Sequence, residues 1–554
     1  MIKRVLKKRC ILVSVIFTLI FLSIIFFSLI KIQYSNSNEL RVLAEKQYTV
    51  EENTDELKYK VFDNEGKDLL EYKINYTIVI EPYTFKVYNE YTKKEDMDAL
   101  EYILSNYDSK YKVENFTSPK NNGKVYFDVN EDTYKKLKML NVIKGMYLYT
   151  YTSINRKGAW NIESLITTTT KNVGKDVVDK DINSLEMRIK KVTGDNKHNI
   201  ITFEKGIDGF NTEGQSTPIS GNVNIRLTID KNMQDTIKEV LSSEKYSKYD
   251  QVGALVMESS SGKIKAMALK DDKKPNVILG STTENGFEPG SIFKVIVEET
   301  GLDSKSISVQ DKFTCESGKN SLCKEVHGSI TPEEALIISC NNAFTQMGKK
   351  VKFANFKAIA DSQGLFKKVL NIDSEVKGDY IDPNNKPEGD RFLSIGQNMR
   401  ITPIQAISIA NTVINKGVYV KPYLIDAYVD NNNKVQEQFS SDKHSVISEN
   451  TSNIMKDQMI NVVKLGTGKL AAVSNVEIGG KTGTNERVET KINNDKKVEK
   501  HSDGWFVGFF KINNKYYTIV VFVKDINING ESGGTTAAPI FRDSVSALKK
   551  YIKK

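Results

Sequence analysis

The first hydrophobic feature of the chain is an unbroken run without a charge, Ile11–Ile30. At about 1.5 Å per residue, such a helix spans roughly 30 Å, the thickness of a bilayer's hydrocarbon core. The residues before it are basic and include no acid, which predicts a cytoplasmic tail at 1–9, an anchor at 10–31 and an extracytoplasmic remainder. No A-x-A-like cleavage site precedes Lys31, so an uncleaved anchor is favoured over a signal peptide.

The region 32–220 is polar and rich in Lys, Asn and Tyr, and it carries no cluster of candidate catalytic residues. Stretches of alternating or β-branched residues such as Tyr76–Ile80 predict strands within it. We therefore expect a mixed α/β pedestal domain, one that holds the following region at a distance from the membrane.

The pattern becomes more compact in 221–554 and predicts an α+β domain. An Asp N-cap at 230 precedes the apolar stripe of a helix, and a closing helix follows Pro539. The predicted strands come from both ends of the region, with a helical middle to about 470, so one antiparallel sheet is assembled from both ends. These strands are predicted at 253–257, 263–268, 505–510 and 517–523, and a further strand at 224–230 leads into the first helix.

Composition narrows the class of protein. The chain has 554 residues, of which 39% are hydrophobic and 27% charged, which is a folding composition, and its four Cys exclude a disulfide scaffold. The net charge of +9 is concentrated in the N-terminal tail and in the lysines from 549 to 554. The excess is thus a topology signal and a basic C-terminus, and nucleic-acid binding is not expected.

Three short motifs carry candidate chemistry. Ser291 and Lys294 follow a Pro-Gly pair and lie one turn apart at a predicted helix start, where a lysine amine can take a hydroxyl proton. This spacing alone is weak, because pairs such as Ser242/Lys245 share it. Ser339-Cys340-Asn341 and Lys481-Thr482-Gly483-Thr484 follow in that order, and the three together are not expected by chance.

The three motifs resemble the signature of the penicillin-binding and serine β-lactamase superfamily. Further segments are similar to class B penicillin-binding proteins over about 221–554, which implies a serine β-lactamase-like transpeptidase fold. The chain departs from the usual pattern at Asn64, Ser184 and Asn398. The similar segments are Leu227–Asp230, Thr331–Leu336, Ser394–Gln397, Thr402–Gln405, Gly504–Gly508 and Ala537–Pro539.

The resemblance implies acyl transfer. Ser291 would attack the penultimate D-Ala of a peptidoglycan stem peptide, and an amine of a second stem peptide would accept the acyl group. Lys294 would act as base, for which it must be neutral although a free lysine has a pKa of about 10.4, and Ser339 would relay the proton to the leaving amine. β-Lactams would acylate the same serine.

The remaining motif residues are implied to bind substrate. Asn341 can donate to and accept from a peptide backbone, and Lys481 would depress the pKa of Lys294. Thr482 and Thr484 would bind the substrate carboxylate, and Gly483 lets the backbone approach closely. Backbone N–H groups of Ser291 and Thr484 would form the oxyanion hole.

Other functions compete with this interpretation. A D,D-carboxypeptidase differs only in using water as acceptor, and a low-affinity, drug-tolerant protein would keep every motif. A serine β-lactamase, a penicillin sensor and a non-catalytic scaffold are less favoured, the sensor because nine residues are predicted inside the cell. By resemblance, a polymerase of lipid II is the expected partner, and a homodimer is a further possibility.

One cysteine and histidine group admits several interpretations. Asp311, Cys315, Cys323 and His327 lie close in sequence and could hold a structural zinc, although the spacing fits no standard zinc motif. Cys315 and Cys323 could instead form a disulfide or remain free thiols. Cys340 is expected to be a small buried side chain, and no cofactor is expected to be needed for catalysis.

The segment Asn485–Ser502 is polar and lysine-rich, which predicts a solvated loop. It follows Thr484 directly. We therefore expect it to form one lip of the substrate groove.

Overall fold

The computed structural model describes residues 2–31, 48–113, 123–206, 209, 211–217, 219–318, 321–382, 389–492 and 496–552. Its helices are α1 (Ile2–Ile30), α2 (Pro82–Tyr88), α3 (Lys94–Tyr107), α4 (Glu131–Lys138), α5 (Ile162–Thr167), α6 (Leu185–Val192), α7 (Lys231–Ser242), α8 (Lys294–Asp303), α9 (Pro332–Ile337), α10 (Asn341–Val351), α11 (Phe353–Ser362), α12 (Gly389–Leu393), α13 (Pro403–Ile414), α14 (Glu449–Leu465) and α15 (Ala537–Ile552).

The first twelve strands are β1 (Thr49–Asn53), β2 (Val61–Phe62), β3 (Tyr72–Ile80), β4 (Val125–Val129), β5 (Met146–Ile154), β6 (Thr170–Val173), β7 (Asp176–Asp179), β8 (Ile200–Lys205), β9 (Asn211–Thr217), β10 (Asn224–Leu227), β11 (Val252–Glu258) and β12 (Ile264–Leu269). The others are β13 (Phe313–Cys315), β14 (Gly328–Ile330), β15 (Asp379–Tyr380), β16 (Met399–Arg400), β17 (Val418–Val420), β18 (Ile425–Val429), β19 (Val435–Gln438), β20 (Lys443–Ser445), β21 (Ile478–Ile492), β22 (Lys496–Ile512) and β23 (Lys515–Ile526).

Helix α1 contains an apolar stretch, Leu6–Ile30, that is long enough to cross a bilayer and has no residue buried inside the protein. Two of its hydroxyls are satisfied within the helix, since Thr18 donates to the Ser14 carbonyl at 2.8 Å and Ser23 to the Leu19 carbonyl at 2.9 Å. These bonds suit an apolar surrounding without water. The helix therefore fits a single-pass membrane anchor.

The described chain forms two compact units. The first comprises Met1–Lys58, Tyr72–Ile154 and Lys197–Ser220. Beyond α1 it holds two antiparallel sheets, in the strand orders β4-β3-β5 and β1-β8-β9. Buried residues of β3 pack with Leu100 and Leu104 of α3 and with Leu137 of α4. This unit is of mixed α and β structure.

The second unit comprises Tyr59–Glu71, Asn155–Asn196 and Gly221–Lys554. It thus takes in two segments from the part of the sequence predicted as pedestal. The first of them contributes β2, which pairs in parallel with β10. The second contains α5 and α6.

A five-stranded antiparallel sheet, in the order β12-β11-β23-β22-β21, forms the centre of the second unit. Its strands come from both ends of the region, as the sequence predicts. Helices α7 and α15 bury their apolar faces against this sheet, with Ile237 and Phe541 fully buried. Helix α13, which is buried from Pro403 to Val413, packs against β22 and β23. The predicted α+β fold class is confirmed, and β21, which carries the third motif, lies at the sheet edge.

Candidate active site

Ser291 lies in a short 3-10 turn, Gly290–Phe293, that leads directly into α8. Gly290 has φ +55°, and a Cβ there would lie 2.5 Å from the Thr484 carbonyl oxygen, so only glycine fits. The Gly290 N–H donates to the Gly396 carbonyl at 3.0 Å. The turn is thereby held between β21 and the segment that contains Gly396, and Ser291 starts a helix as the sequence predicts.

Lys294 is fully buried one helical turn beyond Ser291. Its Nζ donates to the Ser339 carbonyl at 2.7 Å, to the Ser339 Oγ at 3.2 Å and to the Asn341 Oδ1 at 2.6 Å. Burial lowers the pKa of Lys294 to about 7, against the opposing effect of the Cys340 and Cys323 sulfurs. A substantial fraction of this amine is therefore neutral at physiological pH.

Lys481 approaches Ser339 from the opposite side. It is also fully buried, and its Nζ donates to the Ser339 Oγ at 2.9 Å and to the Thr482 carbonyl at 3.1 Å. Burial, and then the charge of Lys294, hold the pKa of Lys481 well below its ordinary value. The Ser339 hydroxyl thus lies between two amines, and its backbone is in the left-handed region with φ +57°. Such a conformation costs energy in a residue with a side chain and is typical of functional sites.

The third motif lies within β21, paired with β22 so that Gly483 faces Trp505. A Cβ at Gly483 would lie 2.7 Å from the Pro289 carbonyl, so glycine allows the strand to pack against the nucleophile turn. The two threonines on either side are held by hydrogen bonds. Thr482 Oγ1 is 2.8 Å from the Thr467 Oγ1, and Thr484 Oγ1 accepts from the Gly533 N–H at 3.0 Å.

A cavity of about 330 Å³ lies above these motifs. Four residues predicted from the sequence line it, namely Ser291, Ser339, Thr482 and Thr484. The sequence analysis missed the other lining residues, which come from the turn after α14 and from the segment before α15. They are Thr467, Lys469, Leu470, Ser532, Gly534 and Thr535.

The structure brings all the predicted Ser, Lys and Asn side chains into one site. Among the described residues, however, the Lys294 amine bonds to Ser339 and Asn341, and no hydrogen bond joins it to the Ser291 hydroxyl. Asn341 is further fixed by donating to the Leu322 carbonyl at 3.2 Å. The arrangement can therefore move a proton among three polar groups beside a serine that faces an open cavity.

Three cysteines and one histidine converge behind this site. The ligand atoms of Cys315, Cys323, His327 and Cys340 all lie within 4.8 Å of one another. Cys315 on β13 pairs with Gly328 of β14, which brings His327 to it, and Cys340 caps α10. The expectation that Asp311 is the fourth ligand is wrong, since that carboxylate pairs with Lys350 at 3.0 Å. Cys340, which is buried as expected, is the fourth member of this group instead.

The sulfurs receive hydrogen bonds from the start of α10. The N–H of Asn342 donates to the Cys323 Sγ and that of Ala343 to the Cys340 Sγ, both at 3.5 Å, and the Asn342 side chain donates to the Cys315 Sγ at 3.4 Å. The helix N-terminus and these donors favour thiolates, whereas burial raises the pKa of the Cys340 thiol to about 12. The cysteines are free, so the predicted alternative of a Cys315–Cys323 disulfide is not present in the structure.

Two of the three departures from the usual class B pattern have local explanations. Asn398 has φ +59°, where asparagine is the best tolerated substitute for the usual glycine. Ser184 caps α6 by accepting from the Met187 N–H. The Asn64 backbone N–H donates to the Ile229 carbonyl at 2.8 Å, which does not explain its side chain.

The prediction of a solvated loop at Asn485–Ser502 is wrong for the described residues. Strands β21 and β22 continue past the motif as an antiparallel hairpin, with Asn485 opposite Asp503 and Ile492 opposite Lys496. At the base of the hairpin, Asn485 Oδ1 accepts from the Asp503 N–H at 2.9 Å. Residues 493–495 of this segment lie outside the described residues.

Solved structures with a similar fold indicate the structural class to which this chain belongs. The structure is similar to a peptidoglycan synthetase from Bifidobacterium adolescentis, with a TM-score of 0.64, 20% identity, and coverage of 91% of this chain and 96% of the other. It is also similar to penicillin-binding protein 3 of Mycobacterium tuberculosis complexed with aztreonam, with a TM-score of 0.52, 20% identity, and coverage of 63% and 87%. The fold is that of the penicillin-binding proteins.

The sequence places the chain within that class. The profile of the penicillin binding protein transpeptidase domain matches residues 252–546, more than half of the chain, and the chain belongs to this family. The resemblance to class B penicillin-binding proteins is confirmed.

Individual relatives match over part of their length. The stage V sporulation protein D of Bacillus subtilis is 30% identical over 366 residues, which are 60% of this chain and 55% of that protein. Penicillin-binding protein PbpB of Mycolicibacterium smegmatis is 24% identical over 382 residues, 63% of this chain and 58% of that protein. The chain thus spans somewhat more than half the length of these relatives.

Proposed function

We propose that the protein is a D,D-transpeptidase that cross-links peptidoglycan stem peptides through an acyl-enzyme on Ser291. The observation that carries this proposal is the buried pair of amines, Lys294 and Lys481, converging on the Ser339 hydroxyl beside the cavity that Ser291 lines. A buried pair of lysines has no evident structural use, because burying two like charges is costly. As neutral or shared-proton groups they are suited to proton transfer.

In the proposed reaction, the Ser291 Oγ attacks the carbonyl carbon of the penultimate D-Ala while Lys294 accepts its proton. Backbone N–H groups of Ser291 and Thr484 hold the developing oxyanion, a contribution typically of about 3 to 4 kcal/mol per donor. The Ser339 hydroxyl, held by both amines, gives its proton to the leaving D-Ala nitrogen and takes back the proton that Lys294 accepted. The amine of an acceptor stem peptide then attacks the ester carbonyl, and the proton that it loses passes through Lys294 to the Ser291 oxygen as that oxygen leaves.

Substrate binding is assigned to the surrounding polar groups. Thr482 and Thr484 offer hydroxyls to the terminal carboxylate, and Gly483 positions both threonines by letting β21 lie against the nucleophile turn. Asn341 orients the Lys294 amine at 2.6 Å and can also meet the substrate backbone. The same groups would bind both the donor peptide and a β-lactam, because a β-lactam presents a similar carbonyl and carboxylate.

Transfer is tested with a D-alanyl thioester of a stem-peptide mimic and a D-amino acid as acceptor. A transpeptidase forms the new amide in proportion to acceptor concentration, whereas a D,D-carboxypeptidase releases only the acid. Ser291→Ala should form neither product, and Ser242→Ala, a serine of another Ser-x-x-Lys pair that is exposed at the end of α7, should behave as wild type. Release of the hydrolysed acid as the sole product at every acceptor concentration would establish the carboxypeptidase alternative.

Covalent binding of penicillin belongs to the same proposal, and it is supported by the aztreonam complex of the M. tuberculosis relative. Slow acylation with every motif in place would identify a low-affinity, drug-tolerant protein. Rapid hydrolysis of the acyl-enzyme would instead identify a β-lactamase.

We also propose a structural zinc held by Cys315, Cys323, His327 and Cys340. Tetrahedral coordination with Zn–S distances of about 2.3 Å places sulfurs about 3.8 Å apart, and the Cys323 and Cys340 sulfurs are 3.7 Å apart. The Nδ1 of His327 is buried and has no hydrogen-bond partner among the described residues, as expected of a ligand atom. The ion would fix Cys340 between Ser339 and Asn341, and zinc content measured by mass spectrometry tests this.

For the whole protein, we propose the topology that the sequence predicts, with 1–9 in the cytoplasm, 10–31 in the membrane and the catalytic domain at 221–554 outside the cell. The region 32–220 would act as the pedestal and as a surface for a lipid II polymerase or a second copy of the chain. Protease accessibility on intact cells tests the orientation, since only an extracytoplasmic domain is cleaved from outside. Crosslinking in membranes tests the partners.

A further inference from the structure

The turn between α14 and β21 forms one wall of the cavity that Ser291 lines. Two contacts fix this turn, because the Thr467 N–H donates to the Ile337 carbonyl at 3.2 Å and the Thr467 Oγ1 lies 2.8 Å from the Thr482 Oγ1. Gly466 admits no side chain, since a Cβ would lie 2.2 Å from the Ile337 carbonyl. These contacts fix the backbone of the turn, which places Lys469 in the lining of the cavity.

The wall carries an unusual charge pattern. The described lining consists of Ser, Thr and Gly residues together with Leu470 and Lys469, and it includes no carboxylate. Lys469 is exposed, and its ammonium makes no ion pair or hydrogen bond with any described residue. The two other lysines of the site, Lys294 and Lys481, are fully buried and are not among the residues that line the cavity. Lys469 is therefore the one cationic side chain in the described lining of the cavity.

We infer that Lys469 is a substrate-recognition residue that attracts the terminal carboxylate of the substrate into the cavity. This rests on the proposed function, in which the threonine hydroxyls of β21 hydrogen-bond that carboxylate. Hydroxyls are neutral and act only at contact distance, whereas an ammonium acts over several ångströms and raises the rate of productive encounter. The same group occurs in a stem peptide and in a β-lactam, so both would be recruited in this way.

The test uses two D-alanyl thioesters that differ in one group. One has a thioglycolate leaving group, which ends in a carboxylate, and the other has the corresponding neutral amide. The full-length protein in detergent is compared with Lys469→Gln, Lys469→Glu and Lys469→Arg, and with Lys464→Gln, which removes an exposed lysine of the same region outside the cavity lining. The quantity measured is kcat/KM at low salt and at about 0.5 M salt, where exposed charges are screened.

At low salt, kcat/KM for the carboxylate thioester should fall about fivefold in Lys469→Gln and roughly twentyfold in Lys469→Glu, chiefly through KM. Lys469→Arg should keep kcat/KM for the carboxylate thioester near the wild-type value. The kcat/KM for the neutral thioester should be the same in wild type and in all three variants. The losses in Lys469→Gln and Lys469→Glu should be smaller in high salt. An equal loss with both thioesters, or none with the carboxylate one, would overturn the proposal. Failure of the wild type to turn over either thioester would overturn the proposed function as well, and fluorescent penicillin on each variant separates that case from a local defect.

Discussion

The helix that carries Lys294 also carries a buried carboxyl group whose replacement should stabilise the protein. Glu298 lies one turn after Lys294, is fully buried, and neither of its oxygens has a hydrogen-bond partner among the described residues. Burial raises the pKa of Glu298 to about 8, partly opposed by Gln458 and increased further by the charge of Glu333. The folded protein therefore keeps this carboxyl largely neutral, whereas the unfolded chain ionises it above its ordinary pKa of 4.5.

The sign and size of the effect follow from proton linkage. A carboxyl whose pKa is raised on folding destabilises the protein progressively as pH rises from 4.5 to about 8. At about 1.36 kcal/mol per pH unit, the penalty is about 1 kcal/mol at pH 5 and about 4 kcal/mol at pH 8. Glu298→Gln does not ionise in either state and keeps the shape of the side chain. The variant should therefore be more stable than wild type, by an amount that grows with pH.

The assay is thermal or urea unfolding of the full-length protein at pH 5, 6, 7 and 8. The Tm difference between Glu298→Gln and wild type should be small at pH 5 and reach several degrees at pH 8. Glu437→Gln is the matched control, since Glu437 is exposed on β19 and its replacement should change stability by less than about 0.5 kcal/mol. A Tm difference that does not depend on pH, or that favours wild type, would refute the assignment of a neutral buried acid.

Three further outcomes are expected. The rate of acylation by penicillin should rise with pH through about 7 and then level off, because burial lowers the pKa of Lys294 to about 7 and only the neutral amine accepts a proton. A rate that is flat from pH 5.5 to 8.5 would contradict this. Cys340→Ser should reduce the zinc content per chain and lower Tm by several degrees, whereas Cys10→Ser, in the anchor, should change neither quantity. Equal zinc content in both variants would exclude Cys340 as a ligand. Asn398→Gly should leave the free energy of unfolding within about 0.5 kcal/mol of wild type, whereas Asn398→Val should lower it by about 1 to 2 kcal/mol because position 398 has a positive φ. Equal stability of the two variants would be inconsistent with a left-handed backbone at this position.

Much of the fold was predictable because its signals are local. The Asp230 N-cap before α7, the β11–β12 hairpin and the apolar β23 each follow from a short pattern of residues. Ser291, Ser339 and Lys481 were found because each lies in a recognisable motif. That these residues meet in one site depends on sheet pairing over long separations, which the resemblance supplied and residue patterns alone did not.

The errors have physical reasons. Asp311 was preferred to Cys340 as a ligand because it is nearer in sequence to Cys315, but the β13–β14 pairing and the cap of α10 bring Cys340 there instead. The extended hairpin after Thr484 was missed because its sequence is polar and lacks the alternation of apolar residues that predicts a strand. Lys469 was missed because a turn that lines a cavity by its position alone carries no motif.

The central claim is that Ser291 is the acyl acceptor, and intact-protein mass spectrometry after incubation with benzylpenicillin tests it most directly. The account predicts one adduct of penicillin mass per chain, located on the peptide that contains Ser291 and absent from Ser291→Ala. It also predicts that Ser242→Ala is labelled as fully as wild type. An unlabelled wild type, or an adduct that persists in Ser291→Ala, would contradict the account.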